Sequence, residues 1–179
     1  MSLPPPPKMY RPNVGLLVFN QDGKAWIGRR RGFRGAYCWQ TPQGGIDHGE
    51  RVVDAALREL TEETGISSKH VEILERNDEW LCYDFPESMR KNKLNNYRGQ
   101  AQVWFALEFK GDDEMVRLDN HSQIEFDDWR WVSFWYPPSE LSPPRAFMAP
   151  PESEGSRSIG IPANLSHPGR TCPVVLLFK

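Results

Sequence analysis

Residues 44 to 66 read GGIDHGERVVDAALRELTEETGI, and no other stretch restricts the chain as much. Apolar residues recur there at helical spacing, and Gly65 suits a left-handed helix end, so a helix is expected over about 51–64. On a helical wheel Val53, Leu57, Leu60 and Thr64 form one stripe that should face a core. Glu59, Glu62 and Glu63 should lie away from it. No lysine separates these glutamates, and only Arg58 is close. Like charges four apart cost an exposed helix about 0.2–0.5 kcal/mol per pair, so the crowding asks for a counter-charge. Clustered carboxylate oxygens suit a hard divalent cation, which prefers to bridge carboxylates and phosphates. Such a cation also lowers the pKa of a bound water. For the carboxylates alone, a plain acidic surface is the better account. Their spacing reverses that.

The 179 residues suit one domain with a tail. A formal charge of −2 supplies no global basic field, so any polyanion site must be local. Cys38, Cys82 and Cys172 are too sparse for a disulfide scaffold or a zinc site and fit a reducing compartment. The start, MSLPPPPKMYRP, has no apolar core of a secretory signal. No run approaches the ~20 apolar residues of a membrane helix. A cytoplasmic protein without membrane or disulfide partners is expected.

Along the chain, residues 1–9 form a proline-rich, disordered lead-in. Strands are expected at 13–20 and 24–30, joined by an Asp22-Gly23 turn, and at 39–45, entering the glycine pair. Strand-like stretches follow at 70–86 and 125–134, and 99–110 reads as the central strand. The polar, basic stretch 87–98 is expected to be a loop. From Pro143 to Arg170 the chain is rich in proline, serine and glycine and reads as disordered. VVLLF at 174–178 could be an edge strand or an unpaired end. The expected division is a main domain over 10–141 and an irregular tail over 142–179.

Written as a pattern, the opening stretch is Gly44-x5-Glu50-x7-Arg58-Glu59-Leu60-x-Glu62-Glu63-x-Gly65-Ile66. It resembles the Nudix box, GX5EX7REUXEEXGU, at every specified position. The resemblance implies an α/β/α sandwich with a mixed central sheet. It also implies metal-dependent hydrolysis of a nucleoside diphosphate linked to another group. Carried over, Glu59, Glu62 and Glu63 are the set for Mg²⁺ or Mn²⁺, with Gly44 beside them. Glu62 is the expected general base, Arg58 orients the glutamates, and Glu50 ties the turn to the helix.

The flanks YRPNVGLLVFN (10–20), WQTPQGGID (39–47), WLCYDFP (80–86), YRGQAQVWFALEF (97–109) and EFDDWRWVSFWYP (125–137) resemble one Nudix branch. It comprises the RNA pyrophosphohydrolases and the related asymmetrical dinucleoside-tetraphosphate hydrolases. That likeness implies Glu125 as a further metal ligand, and Arg11 and Arg30 as contacts to 5′ phosphates or first bases. It implies Gln40, Gln43 and Tyr83 as substrate contacts. Trp39, Trp104, Trp129 and Trp131 could stack bases, but core packing is their default. Two departures stand out. Val103 occupies a position usually held by lysine, and prolines at 143–151 interrupt the expected C-terminal helix. The leading expectation is removal of pyrophosphate from 5′-triphosphorylated RNA, with hydrolysis of diadenosine tetraphosphate close behind. A noncatalytic nucleotide-sensing module ranks below both, because the box keeps all its glutamates.

Overall fold

The computed structural model describes residues 3–35, 38–85 and 97–133. The expected 87–98 loop lies mostly outside these residues, and the tail, including the expected C-terminal helix and the 174–178 segment, lies wholly outside. The described chain is a mixed α+β unit built on an eight-stranded sheet. Its elements are β1 (Tyr10–Phe19), β2 (Lys24–Arg30), β3 (Trp39–Gln40), β4 (Gln43–Gly45), α1 (Val52–Thr64), β5 (Val71–Arg76), β6 (Leu81–Asp84), β7 (Gly99–Phe109) and β8 (Phe126–Ser133). The central path runs β3-β2-β1-β7-β5, with β4 on β1, β6 on β7 and β8 on β2. β1 and β7 run parallel from Tyr10↔Gly99 to Phe19↔Glu108, and the other pairs are antiparallel. No helix among the described residues is long and apolar enough to cross a membrane.

Both central strands are apolar along nearly their whole length because both sheet faces are buried. Alternation sends Val14, Leu16 and Val18 with Val103, Phe105, Leu107 and Phe109 to the face carrying α1. It sends Leu17 and Phe19 with Trp104 and Ala106 to the other. Val103 is therefore core. The four tryptophans weighed as base-stacking candidates are packing residues. Trp104 is fully buried, Trp26 stacks on Trp129 with centroids 6.3 Å apart, and Trp39 has Arg130 over its ring at 4.1 Å.

The helix corrects the wheel. Its buried residues are Ala55, Ala56, Leu60 and Thr64, while Val53 and Leu57 are only partly buried. At ~100° per residue, Glu59 and Glu63 fall between the directions of Ala55 and Ala56. These two glutamates therefore share the inward face instead of pointing away. The two alanines are the physical reason: side chains that small leave room beneath the helix for carboxylates against β4. The helix ends as expected, with Gly65 at φ 73° and its N–H donating to Thr61 O.

Candidate active site

The glutamates are organised by one arginine. Arg58 Nε donates to Glu50 Oε1 at 2.8 Å, and Nη2 donates to Glu50 Oε2 at 2.9 Å and to Gly45 O at 2.8 Å. Its Nη1 donates to Glu59 Oε1 at 2.7 Å and reaches Glu62 Oε2 at 3.3 Å. Glu50 also accepts from the backbone N–H of Asp47 at 2.9 Å, joining the turn to the helix. The guanidinium fork holds the Glu50 carboxyl below the usual carboxylate range, against the opposing effect of burial. Glu50 in turn is the main cause pushing Arg58 further above its ordinary value, so the arginine stays charged.

Glu59 and Glu63 differ from Glu50. Burial pushes the Glu59 carboxyl up, and Arg58 only partly offsets it. Burial pushes Glu63 well up; the Gln43 N–H, donating at 2.9 Å, pulls it back, and the charges of Glu59, Glu125 and Glu62 add to the push. Gly44 belongs to the same arrangement. A Cβ there would lie 1.9 Å from the Glu59 carboxyl carbon, so only glycine lets that carboxylate rest against β4.

These groups open into one cleft of about 510 Å³, lined by Glu59, Glu62, Glu63 and Glu125, by Gln43, Gly44 and Gly45, and by Arg11 and Arg30. Arg30 Nε lies 3.5 Å from Glu125 Oε1. The β2–β8 register shifts between Arg29 and Arg30. Such a bulge re-aims a side chain: Arg29 pairs with Asp127 at 2.7 Å, while its neighbour Arg30 faces the cleft. Arg11 is exposed there and has no ion pair among the described residues.

Two expected contacts are not brought to the cleft. Gln40 is buried at the β2–β3 pairing, opposite Gly28. Tyr83 stands on β6 and donates its hydroxyl to Gln100 Oε1, so Gln100 reaches the cleft in its place. The sequence reading also missed Asn13, Gln100, His121 and Gln123, which line the cleft. For Asn13 and Gln100 a signal was available, since Asn13 alternates onto the face of Arg11 and Gln100 stands opposite Arg11 in the β1–β7 register. For His121 and Gln123, on the segment before β8, no periodicity exists to find them.

Among the described residues, no three His, Cys, Asp or Glu side chains already converge as a coordination cluster. Arg58 Nη1 instead stands 2.7 Å from a Glu59 oxygen and 3.3 Å from a Glu62 oxygen. The donor chemistry nonetheless fits a hard divalent cation. All side-chain donors are carboxylate oxygens, and Glu63 is a buried carboxyl pressed by three like charges.

A NUDIX domain family model matches residues 9–155. The RNA pyrophosphohydrolase of Caulobacter vibrioides (strain NA1000 / CB15N) is 48% identical over 124 residues, covering 68% of this chain and 71% of the relative. The RNA pyrophosphohydrolase of Xylella fastidiosa (strain 9a5c) is 47% identical over 132 residues, covering 73% of this chain and 68% of its own. Among solved structures, the E. coli dihydroneopterin triphosphate pyrophosphohydrolase superposes with a TM-score of 0.53 at 18% identity, over 71% of this chain and 84% of that one.

Proposed function

We propose that this chain, which belongs to the Nudix family, removes pyrophosphate from the 5′ end of triphosphorylated RNA in the cytoplasm and so exposes that RNA to decay. It is a hydrolase of pyrophosphate bonds. The observation that carries the reading is the cleft itself, where four glutamates stand beside Arg11 and Arg30. The named activity of its curated relatives supports the substrate.

In this reading Glu59, Glu62, Glu63 and Glu125, with Gly44, would hold Mg²⁺ or Mn²⁺, which when bound neutralises phosphate charge and acidifies water. Arg11 and Arg30 hold the 5′ phosphates, a task suited to planar guanidinium groups. Glu62 takes a proton from the attacking water. Water oxygen bonds to phosphorus as the phosphoanhydride bond breaks, leaving 5′-monophosphorylated RNA and pyrophosphate. Arg58 acts through the glutamates, holding Glu59 and Glu62 in place while Glu50 anchors it. No covalent intermediate is required.

The test is product analysis with Mg²⁺, offering 5′-triphosphorylated RNA and diadenosine tetraphosphate in parallel. Faster release of pyrophosphate, or of phosphate in steps, from RNA is expected. Glu62→Gln should lower that rate about 10²–10⁴-fold while the protein stays folded. Faster formation of ATP and AMP from the dinucleotide would replace the RNA reading with dinucleoside-polyphosphate hydrolysis. A folded protein that turns over neither would leave a nucleotide-sensing module.

A further inference from the structure

We propose that a second groove, beside the cleft, binds the single-stranded RNA that follows the triphosphorylated nucleotide; this rests on the RNA reading above. The groove measures about 590 Å³, with Val116, Leu118 and Ile124 as apolar lining and Arg31 and Arg117 on its walls. None of these residues lines the cleft.

Three observations carry the proposal. The first is continuity. On β2 and just past it, Arg30 lines the cleft and the next residue, Arg31, lines the groove. On the segment before β8, Gln123 and Glu125 line the cleft, while Ile124 between them lines the groove. The two spaces therefore adjoin along both segments. The second is charge. Arg31 and Arg117 are exposed and have no ion pair among the described residues. Asp127, on the same wall, is already engaged by Arg29 at 2.7 Å and Arg34 at 2.9 Å. Asp119 is the acid that works against an anion here. Two unengaged guanidinium groups suit successive backbone phosphates. The third is the floor: Val116 is buried, but the partly exposed side chains of Leu118 and Ile124 offer base faces an apolar surface beside the two guanidinium groups.

The groove is held in place independently of any ligand. Arg117 N donates to Thr64 O at 2.8 Å, and Arg31 N donates to Glu125 O at 2.8 Å. One wall is thus fixed to the end of α1 and the other to the residue entering β8, so a strand leaving the cleft meets a preformed surface.

The experiment measures kcat/KM on triphosphorylated RNAs of two and six nucleotides sharing one 5′ sequence, across a salt series. Wild type and the double variant Arg31→Ala/Arg117→Ala are compared. The wild type should favour the longer RNA about 3- to 10-fold at low salt, and the advantage should shrink as salt rises. In the double variant the long-to-short ratio should fall toward one. Its log–log salt slope on the longer RNA should be shallower by about 1.4, at ~0.7 per phosphate contact on a single strand. Equal rates on both lengths in the wild type, or an undiminished length advantage in the variant, would overturn the groove and leave the RNA reading intact. Hydrolysis of diadenosine tetraphosphate with none of either RNA would remove the RNA reading itself, and the groove with it. Both substitutions lie on exposed side chains, so circular dichroism should match the wild type.

Discussion

Arg58 settles the question that its glutamate neighbours raise. Four glutamates crowd one helix and the turn before it, and one guanidinium serves three of them. The Glu50 pairing is the structural half of that arrangement, being two-pronged and mostly shielded, with the Glu50 side chain 16% exposed. Glu50→Gln keeps the shape but puts an amide N–H against the fork. It should cost about 2 kcal/mol, in the range of hydrogen bonds to charged groups. The midpoint of thermal unfolding should fall about 4–8 °C for a chain of this size. The pH dependence has a definite sign. Glu50's folded carboxyl lies below its unfolded value, so its contribution is complete above the ordinary carboxylate range and is lost as pH falls through the depressed folded value. Unfolding curves of wild type and variant should therefore separate near neutrality and converge in acid. A constant gap at all pH values would show that the pair adds nothing through ionisation. The family pattern implied an orienting role for Arg58 and a structural one for Glu50, but not that the two pair, since spacing alone never says which glutamate the arginine grips.

At the level of elements, most of the sheet was readable, although the expected stretches 39–45 and 70–86 each divide into two strands, and the helix face was not. β2 and β7 carry their own evidence: alternation or continuous apolarity, closed by turn residues, which burial of one or both faces demands. Glu59 and Glu63 misled the wheel because charged residues are normally placed outward. Here two alanines and Gly44 make the space that takes the carboxylates inward. Tertiary packing overrode the local rule at the place where function is expected, which is where such conflicts collect. The parallel β1–β7 pair gives a prediction of its own. Gly15 sits opposite Trp104 in the register, and a Cβ on it would lie 2.6 Å from the indole ring. The ring is fully buried, so making room means shifting it within close-packed surroundings. Gly15→Ala should therefore destabilise by about 1–3 kcal/mol, the usual cost of overpacking. Denaturant unfolding reads this directly; a midpoint equal to wild type would mean that the ring moves freely. Trp104→Phe in the same background should recover part of the loss, because a smaller ring clears the new methyl.

Across the whole molecule, the candidate site is in electrostatic tension with its own fold. Glu63 is placed by packing in a space that disfavours its charge, and Glu59, Glu125 and Glu62 aggravate this. Its folded carboxyl lies above the unfolded value, the opposite of Glu50. The stability it contributes is therefore complete below the ordinary carboxylate range and is lost as pH rises through the raised folded value. Near pH 7 without divalent ions, Glu63→Gln should make the protein more stable, by on the order of 3 °C in the unfolding midpoint. The difference should vanish in acid, where the wild-type carboxyl is neutral. A divalent cation that binds only the folded chain reverses the order. At one hundred times its dissociation constant it adds about 2.7 kcal/mol, and the wild type should gain more of this than the variant, which has lost a ligand charge. The experiment is a set of thermal melts of both proteins from pH 5 to 8, each with chelator and with Mg²⁺. Variant above wild type in chelator, and below it in Mg²⁺, is the expected crossing. Parallel curves with no crossing would mean that Glu63 holds no ion and that its burial serves the fold alone.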